Sequence, residues 1–380
     1  MTEGSATDPA FAAALLGLAG MTPVRLARLL DGFGPKMAWN AVRAGTHPGD
    51  PARRFVGAAR ATDPSEVGRR YAEAGIEVLL PDRPGYPAAL VGDLGAPAVL
   101  CASGDPSVLE ARPAVAVVGT RSATPYGAKV ASALGKDLAA AGVVVVSGLA
   151  RGIDAATHSG ALAAGDGAAP PVAVVGTGLD RPYPKENSIL WRRVASAGVV
   201  LSEAALGTEP RPRVFPARNR IIAALSDVVV VVESHRDGGS LYTAEAAARR
   251  SIPVCAVPGS VYSRSSSGTN GLLVDGCTPV RDADDVLAAV ALARQGRGMA
   301  TPFVPVSDRR SPGRGAQGRG TAVPADRVER SVWEAVDDTP TSVETVLLRT
   351  GLSLSALTAA GEELVERGLL TAGAGWWSRA

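Results

Sequence analysis

Four polar clusters hold residue types suited to chemistry. They are Gly119-Thr120-Arg121-Ser122; Ser147-Gly148 with Arg151-Gly152-Ile153-Asp154 and, a turn later, His158; Gly176-Thr177-Gly178 with Tyr183-Pro184-Lys185-Glu186-Asn187; and Phe215-Pro216-Ala217-Arg218-Asn219-Arg220. Each sets cations or hydroxyls beside glycines or amides. That mixture suits a phosphate, which a guanidinium grips with forked N–H donors and which backbone amides at a helix entrance also bind. The first turn is not a dinucleotide fingerprint, because it puts Arg121 where the second and third glycines would let a backbone approach a pyrophosphate.

Catalytic chemistry finds less support. Cys101, Cys255 and Cys277 form no C-x-x-C pair, and His158 and His235 are far apart, so neither a metal site nor a disulfide framework is expected. No G-x-S-x-G elbow follows a strand. Asp154 reads as a helix cap or first-turn residue and His158 as a satisfied, partly buried histidine. Glu233 and Glu245 are the remaining carboxylates a hydrolase would use. No catalytic residue, cofactor or metal is predicted.

The clusters follow apolar runs that alternate with helical segments. Val115–Val118, Val143–Val146, Pro171–Gly176, Gly198–Ser202, Asp227–Glu233 and Val254–Val257 read as strands covered on both faces. The fold class is therefore α/β, a Rossmann-like, doubly wound, mostly parallel sheet. Its neighbouring strand ends would bring Arg121, Arg151, Lys185, Arg218 and Arg220 to one crevice.

Around this core, spanning 76–295, residues 1–75 read as a helical domain. The turn Leu30-Asp31-Gly32-Phe33-Gly34-Pro35 gives it a SAM or helix-hairpin-helix character. The stretch between Gly75 and Gly104 reads as a lead-in that adds one or two strands. Residues 296–322 have the Pro, Gly, Ser and Arg content of a flexible linker. Residues 323–380 read as three helices and a hairpin, a winged helix, whose third helix carries Glu362, Glu363 and Glu366. An acidic helix is repelled by phosphates, which favours a structural or protein-binding role.

The net charge of +2 over 380 residues excludes a globally basic protein, so any nucleic-acid site is a local patch. No apolar run approaches the roughly 18 residues of a membrane span. Phe11–Leu18 follows Glu3 and Asp8 rather than a basic segment. A cytoplasmic location is expected.

Taken in order, GTRSATPYG, VVSGLARGIDAATHSGAL, GTGLDRPYPKENSIL, LSEAALGTEPRPRVFPARNRIIAALSD, VVVVES, GGSLYTAEAA and VCAVPG resemble the DNA-processing protein A family (DprA, also called Smf) over roughly Ala114–Val280. The resemblance implies a protein that binds single-stranded DNA, dimerises through its Rossmann-like core, serves natural transformation and competence, and helps load the recombinase RecA. It implies DNA contacts at Arg121, Lys185, Arg218, Asn219 and Arg220, over a floor of Ser147, Gly148 and Arg151. Gly119, Thr120, Ser122, Gly152 and Asn187 complete the expected DNA-binding set. The chain departs from the family at Thr120 and Gly239, where Ser is frequent, and at Ser251, where Gly is common.

With only Tyr126, Tyr183 and Phe215 near the clusters, binding is expected to be phosphate-driven and salt-dependent. The competing expectation is a hydrolase related to nucleoside-monophosphate phosphoribohydrolases, with Glu245 after Gly238-Gly239 as its carboxylate. A weaker one is a sequence-specific regulator acting through the winged helix.

Overall fold

The computed structural model describes residues 7–81, 83–110, 113–210, 214–296, 324, 326–336, 341–373 and 376–379. Five helices open the chain: α1 (Asp8–Leu16), α2 (Pro23–Leu30), α3 (Pro35–Ala44), α4 (Val56–Arg60) and α5 (Pro64–Glu73). Thr22 caps α2 by accepting from the Arg25 N–H at 3.2 Å, with Pro23 in the first helical position, where a missing N–H costs nothing. The turn from Gly32 to Gly34 joins α2 to α3, and Gly32 sits at φ 68°, a conformation that glycine adopts without strain.

The lead-in supplies β1 (Glu77–Leu79) and β2 (Leu100–Gly104). The alternating core follows: β3 (Ala114–Val118), α6 (Pro125–Ala140), β4 (Val144–Ser147), α7 (Ile153–Leu162), β5 (Val172–Val175), α8 (Ser188–Ala197) and β6 (Val199–Ser202). It continues through α9 (Val214–Ala224), β7 (Val228–Val231), α10 (Leu241–Ala248), β8 (Val254–Ala256), α11 (Ser267–Val274), β9 (Thr278–Pro279) and α12 (Ala283–Gly296). These strands form one nine-stranded sheet in the order β1-β2-β6-β5-β4-β3-β7-β8-β9. β1 pairs antiparallel with β2, and β2 antiparallel with β6, whereas every pairing from β6 to β9 is parallel.

Side-chain alternation divides each strand between two covered faces. Ala116 and Val118 of β3 pack with Ile221 and Ile222 of α9 and Ala244 and Ala247 of α10. Val115 and Val117 pack with Leu134 and Leu138 of α6 and with Val286 and Val290 of α12. A valine sealed in this way contributes roughly 1.5 kcal/mol or more, which is why runs of valine without polar alternation are stable here. The N-terminal helices share this core. Phe11, Leu15, Leu29 and Trp39 form one cluster with Cys101 of β2, Ala173 of β5 and Trp191 of α8.

The last elements are α13 (Arg327–Ala335), β10 (Thr341–Ser342), α14 (Val343–Thr350), α15 (Leu354–Glu366), β11 (Leu370–Gly373) and β12 (Trp376–Arg379). They build a separate sheet, ordered β10-β12-β11, over their own buried cluster of Val332, Val346, Leu357, Leu364 and Trp377. The expected linker at 296–322 lies outside the described residues apart from Gly296. Among the described residues, no helix is long and apolar enough to cross a membrane.

One local expectation needs correction. Arg218, Asn219 and Arg220 are not on a strand-end turn, because the helix read from the sequence as starting at Arg218 already begins at Val214, as α9. Pro216 falls in its first turn, where proline removes no intrahelical hydrogen bond.

Candidate functional site

A cavity of about 130 Å³ opens at the carboxyl ends of β3, β4 and β5. Arg121 and Ser122 line it from the β3 turn, and Gly148, Ala150 and Arg151 from the β4 turn. Val175, Gly176, Thr177, Tyr183 and Pro184 line it from the β5 side, and Arg218 of α9 lies beneath. The volume is well below the roughly 300–1,000 Å³ of a typical small-molecule pocket. It suits a group of phosphate size.

Arg218 forms the floor. Its side chain is 8% exposed and sits 3.6 Å from the Asp154 carboxylate, while its Nη1 donates to the carbonyls of Gly148 and Val174. Burial, with Arg121 close by, pushes the guanidinium down to about 10, so it stays a cation at neutral pH. Burial also pushes the Asp154 carboxyl up, against the pull of Arg218. The pair is neutral as a unit. The positive charge facing the cavity therefore comes from the exposed Arg121 and Arg151, the latter paired to Glu186, while the expected Lys185 is exposed next to Pro184 but does not line the cavity. Gly148 is required by closeness: a Cβ there would lie 2.2 Å from Arg218 Nη2.

The other expected residues shape the cavity. Ser147 is fully buried and its Oγ donates to the Val117 carbonyl at 2.7 Å, stapling β4 to β3. Asn187 Nδ2 donates to the carbonyls of Leu149 (2.9 Å) and Ala150 (3.1 Å), holding the β4 turn in place. Within that turn Leu149 takes a left-handed φ of 54°, a strained conformation of the kind that clusters at functional sites. Gly152, at φ 72°, brings the β4 turn so close to the β3 turn that a Cβ would meet the Thr120 carbonyl at 2.4 Å. Thr120 Oγ1 accepts from the Ser122 N–H at 3.2 Å, and a Cβ on Gly119 would press into Ile153.

Two further expected residues do not join the cavity. Asn219 Nδ2 donates to the Gly239 carbonyl at 3.1 Å. Arg220 forms a two-pronged pair with Glu203, at 2.6 and 2.8 Å, and lines a different cavity of about 1,060 Å³ beside the N-terminal helices. The reason is helical geometry, since residues two apart on a helix point roughly 200° apart. With Arg218 turned into the floor, Arg220 must face away.

Sequence reasoning did not single out Thr177 and Tyr183 as cavity residues, although both stand in the Gly176 cluster. It also missed Asp154 as the partner of Arg218, a pairing across 64 positions that carries no local signal.

His158 is fully buried and neither ring nitrogen has a hydrogen-bond partner, contrary to the satisfied, partly buried histidine expected. Burial pushes its pKa down to about 3, so it is neutral at working pH.

The two candidate hydrolytic carboxylates are committed elsewhere. Glu245 is exposed on α10 and paired with Arg249. Glu233 lies where β7 meets β3, the point at which the chain reverses its direction of travel across the sheet. Its carboxylate accepts from the Thr124 N–H at 2.9 Å and the Thr124 hydroxyl at 2.5 Å. Gly127 makes room for it, since a Cβ there would lie 2.2 Å from Glu233 Oε2. In doubly wound sheets this crevice and helix entrance receive a ligand's phosphate. Here an internal anion fills the place, and the cationic cavity lies on the side of β4 and β5.

Comparison with known proteins agrees with this architecture. The family model described as DNA recombination-mediator protein A matches residues 77–291. Protein Smf of Synechocystis is 30% identical over 93% of this chain and 94% of its own length. The X-ray structure of DNA processing protein A from Streptococcus pneumoniae superposes with a TM-score of 0.63 at 32% identity, covering 74% of this chain and 97% of that one. A structure of DNA processing protein A from Helicobacter pylori, described for its single-stranded DNA binding mode, superposes with a TM-score of 0.50 at 30% identity over 57% of this chain and 95% of that one. With the family model covering more than half of its length, this chain belongs to the DNA recombination-mediator protein A family.

Proposed function

We propose that this protein binds single-stranded DNA and acts as a recombination mediator without a catalytic step. In this role it protects incoming strands in natural transformation and helps load RecA onto them. The observation that carries the reading is the convergence of Arg121, Arg151 and the buried Arg218 on one phosphate-sized cavity at three adjacent strand ends. The Helicobacter relative, described for its single-stranded DNA binding mode, supports the choice of polymer. A cavity this small seats one phosphate of a strand, and the exposed Lys185 and Arg151 would meet its neighbours along the rim. Binding is then largely electrostatic, indifferent to sequence and weakened by salt.

On the same reading the protein works in the cytoplasm as a homodimer joined through the sheet-bearing core. Residues 1–75 form its helical N-terminal domain, 76–295 the core and 296–322 the linker. Residues 323–380 form a winged helix, with α13–α15 as its helices and β11–β12 as its wing.

The test is binding of an oligothymidine and of a duplex of equal length, followed by anisotropy across a salt series. Arg121→Ala should lower single-strand affinity about tenfold. Arg220→Met should leave it within about twofold while lowering stability, because Glu203 loses its partner. An Arg121→Ala protein that stays folded and dimeric yet binds as tightly as the wild type would overturn the assignment.

A further inference from the structure

We propose that the arginine face of the N-terminal helices, Arg25, Arg28 and Arg54, is a second binding surface for a nucleic-acid backbone. Helix α15 of the same chain is its resident occupant. Between Pro23 and Arg60 the chain carries seven cations (six Arg and Lys36) and two carboxylates, Asp31 and Asp50. Asp50 is spent on the chain itself, accepting from the N–H groups of Arg54 (2.9 Å) and Phe55 (3.1 Å). The surplus positive charge meets a helix of opposite sign, since Leu354–Glu366 contains three glutamates and no cation.

The contact is specific. Arg25 and Arg28, three apart and so on one face of α2, both hold Glu362: Arg25 Nε lies 3.3 Å from Oε1 and Arg28 Nη1 lies 3.2 Å from Oε2. Arg54 holds Glu366, one turn further along α15. Two anions about 6 Å apart along a helix thus occupy a row of guanidinium groups, as two phosphates of a strand would. The carboxylates do not exhaust the donors, because Arg28 Nη2 is buried without a partner. The paired side chains keep 19–49% of their exposure, and ion pairs that wet hold weakly. α15 can leave as part of an intact body, because its buried cluster contains only residues from 332 to 377. DNA would therefore compete with a tethered anion and be favoured by counterion release.

The experiment uses the full chain with Glu362→Gln and Glu366→Gln, alone and combined with Arg25→Ala, Arg28→Ala and Arg54→Ala. Each form is made with and without Arg121→Ala. Oligothymidine binding is measured against salt, with circular dichroism confirming the fold. Unmasking should raise affinity at least about fivefold and steepen the log–log salt slope by about 1.4–2, from two or three added contacts at roughly 0.7 each. The arginine substitutions should abolish that gain. Because the gain is read within each background, it is independent of whether Arg121→Ala itself weakens binding. Unchanged affinity and slope in the glutamine variant, or a gain that survives loss of the three arginines, would overturn the proposal.

Discussion

Replacing Arg218 with methionine keeps the bulk of a buried side chain and deletes its charge. Asp154, 5% exposed, is then a buried carboxylate without its cation. Breaking a buried pair by removing one partner costs about 3–5 kcal/mol. The carbonyls of Gly148 and Val174 also lose a donor, at roughly 1 kcal/mol each where no water replaces it. The variant should therefore lose about 5–7 kcal/mol of unfolding free energy at pH 7, and adding Asp154→Asn should restore about half. The pH dependence follows from the direction of the Asp154 shift. Burial holds the folded carboxyl above its unfolded value, and losing Arg218 raises it further. The folded state then binds the proton more tightly, so the penalty is full at high pH and shrinks as pH falls. Urea denaturation at pH 7 and pH 5 should show Arg218→Met closing part of its gap to the wild type at pH 5, and the double variant showing no such change. A double variant no more stable than the single one, or a gap that is equal at both pH values, would refute the account of a charge pair beneath the cavity.

Three further outcomes follow from the geometry. Gly148→Ala adds one methyl group against Arg218 and should weaken single-strand binding about tenfold with no change in net charge; unaltered binding would mean that the floor is not where phosphate is read. Glu233→Gln should cost about 1–2 kcal/mol in thermal or urea unfolding, since a neutral amide is a poorer partner for Thr124 and for the positive end of α6. Ser251 sits at φ 55°, so Ser251→Gly should stabilise the protein by about 0.5–1 kcal/mol in the same assay, the relief of a left-handed backbone outweighing the added freedom of the unfolded chain.

The parallel sheet was legible because a strand buried on both faces has to be written in uninterrupted apolar residues, and Val115–Val118 and Val228–Val231 are. The strand-end turns were legible for the complementary reason that polar residues directly after such runs have only the sheet's rim to occupy. Arg218 and Arg220 were harder. Their shared string says they are neighbours, but only the start of α9 at Val214 decides that one turns inward and the other away, and Pro216 in a first turn gives the opposite impression of a break. The Asp154–Arg218 and Thr124–Glu233 contacts join positions 64 and 109 apart, so no spacing rule reaches them. The N-terminal helices were recognised as helices, yet their packing onto β2, β5 and α8 was hidden. An amphipathic stripe shows that a helix has a buried side without naming its partner. The acidity of the last helix was visible, whereas the arginines that receive it lie more than 300 residues upstream.

The carboxylate of Glu233 has a consequence for how the protein meets a cell full of nucleotides. A diffusible phosphate stabilises a helix entrance only in proportion to its concentration, so folds that depend on one are unfinished whenever supply runs low and blocked whenever a similar molecule is abundant. An anion supplied by the chain has constant occupancy. The entrance to α6 is complete as soon as the protein folds, and free mononucleotides find no vacancy there. What remains open to phosphate is the shallow cavity beside it, whose small size gives a lone nucleotide few contacts and a long strand many.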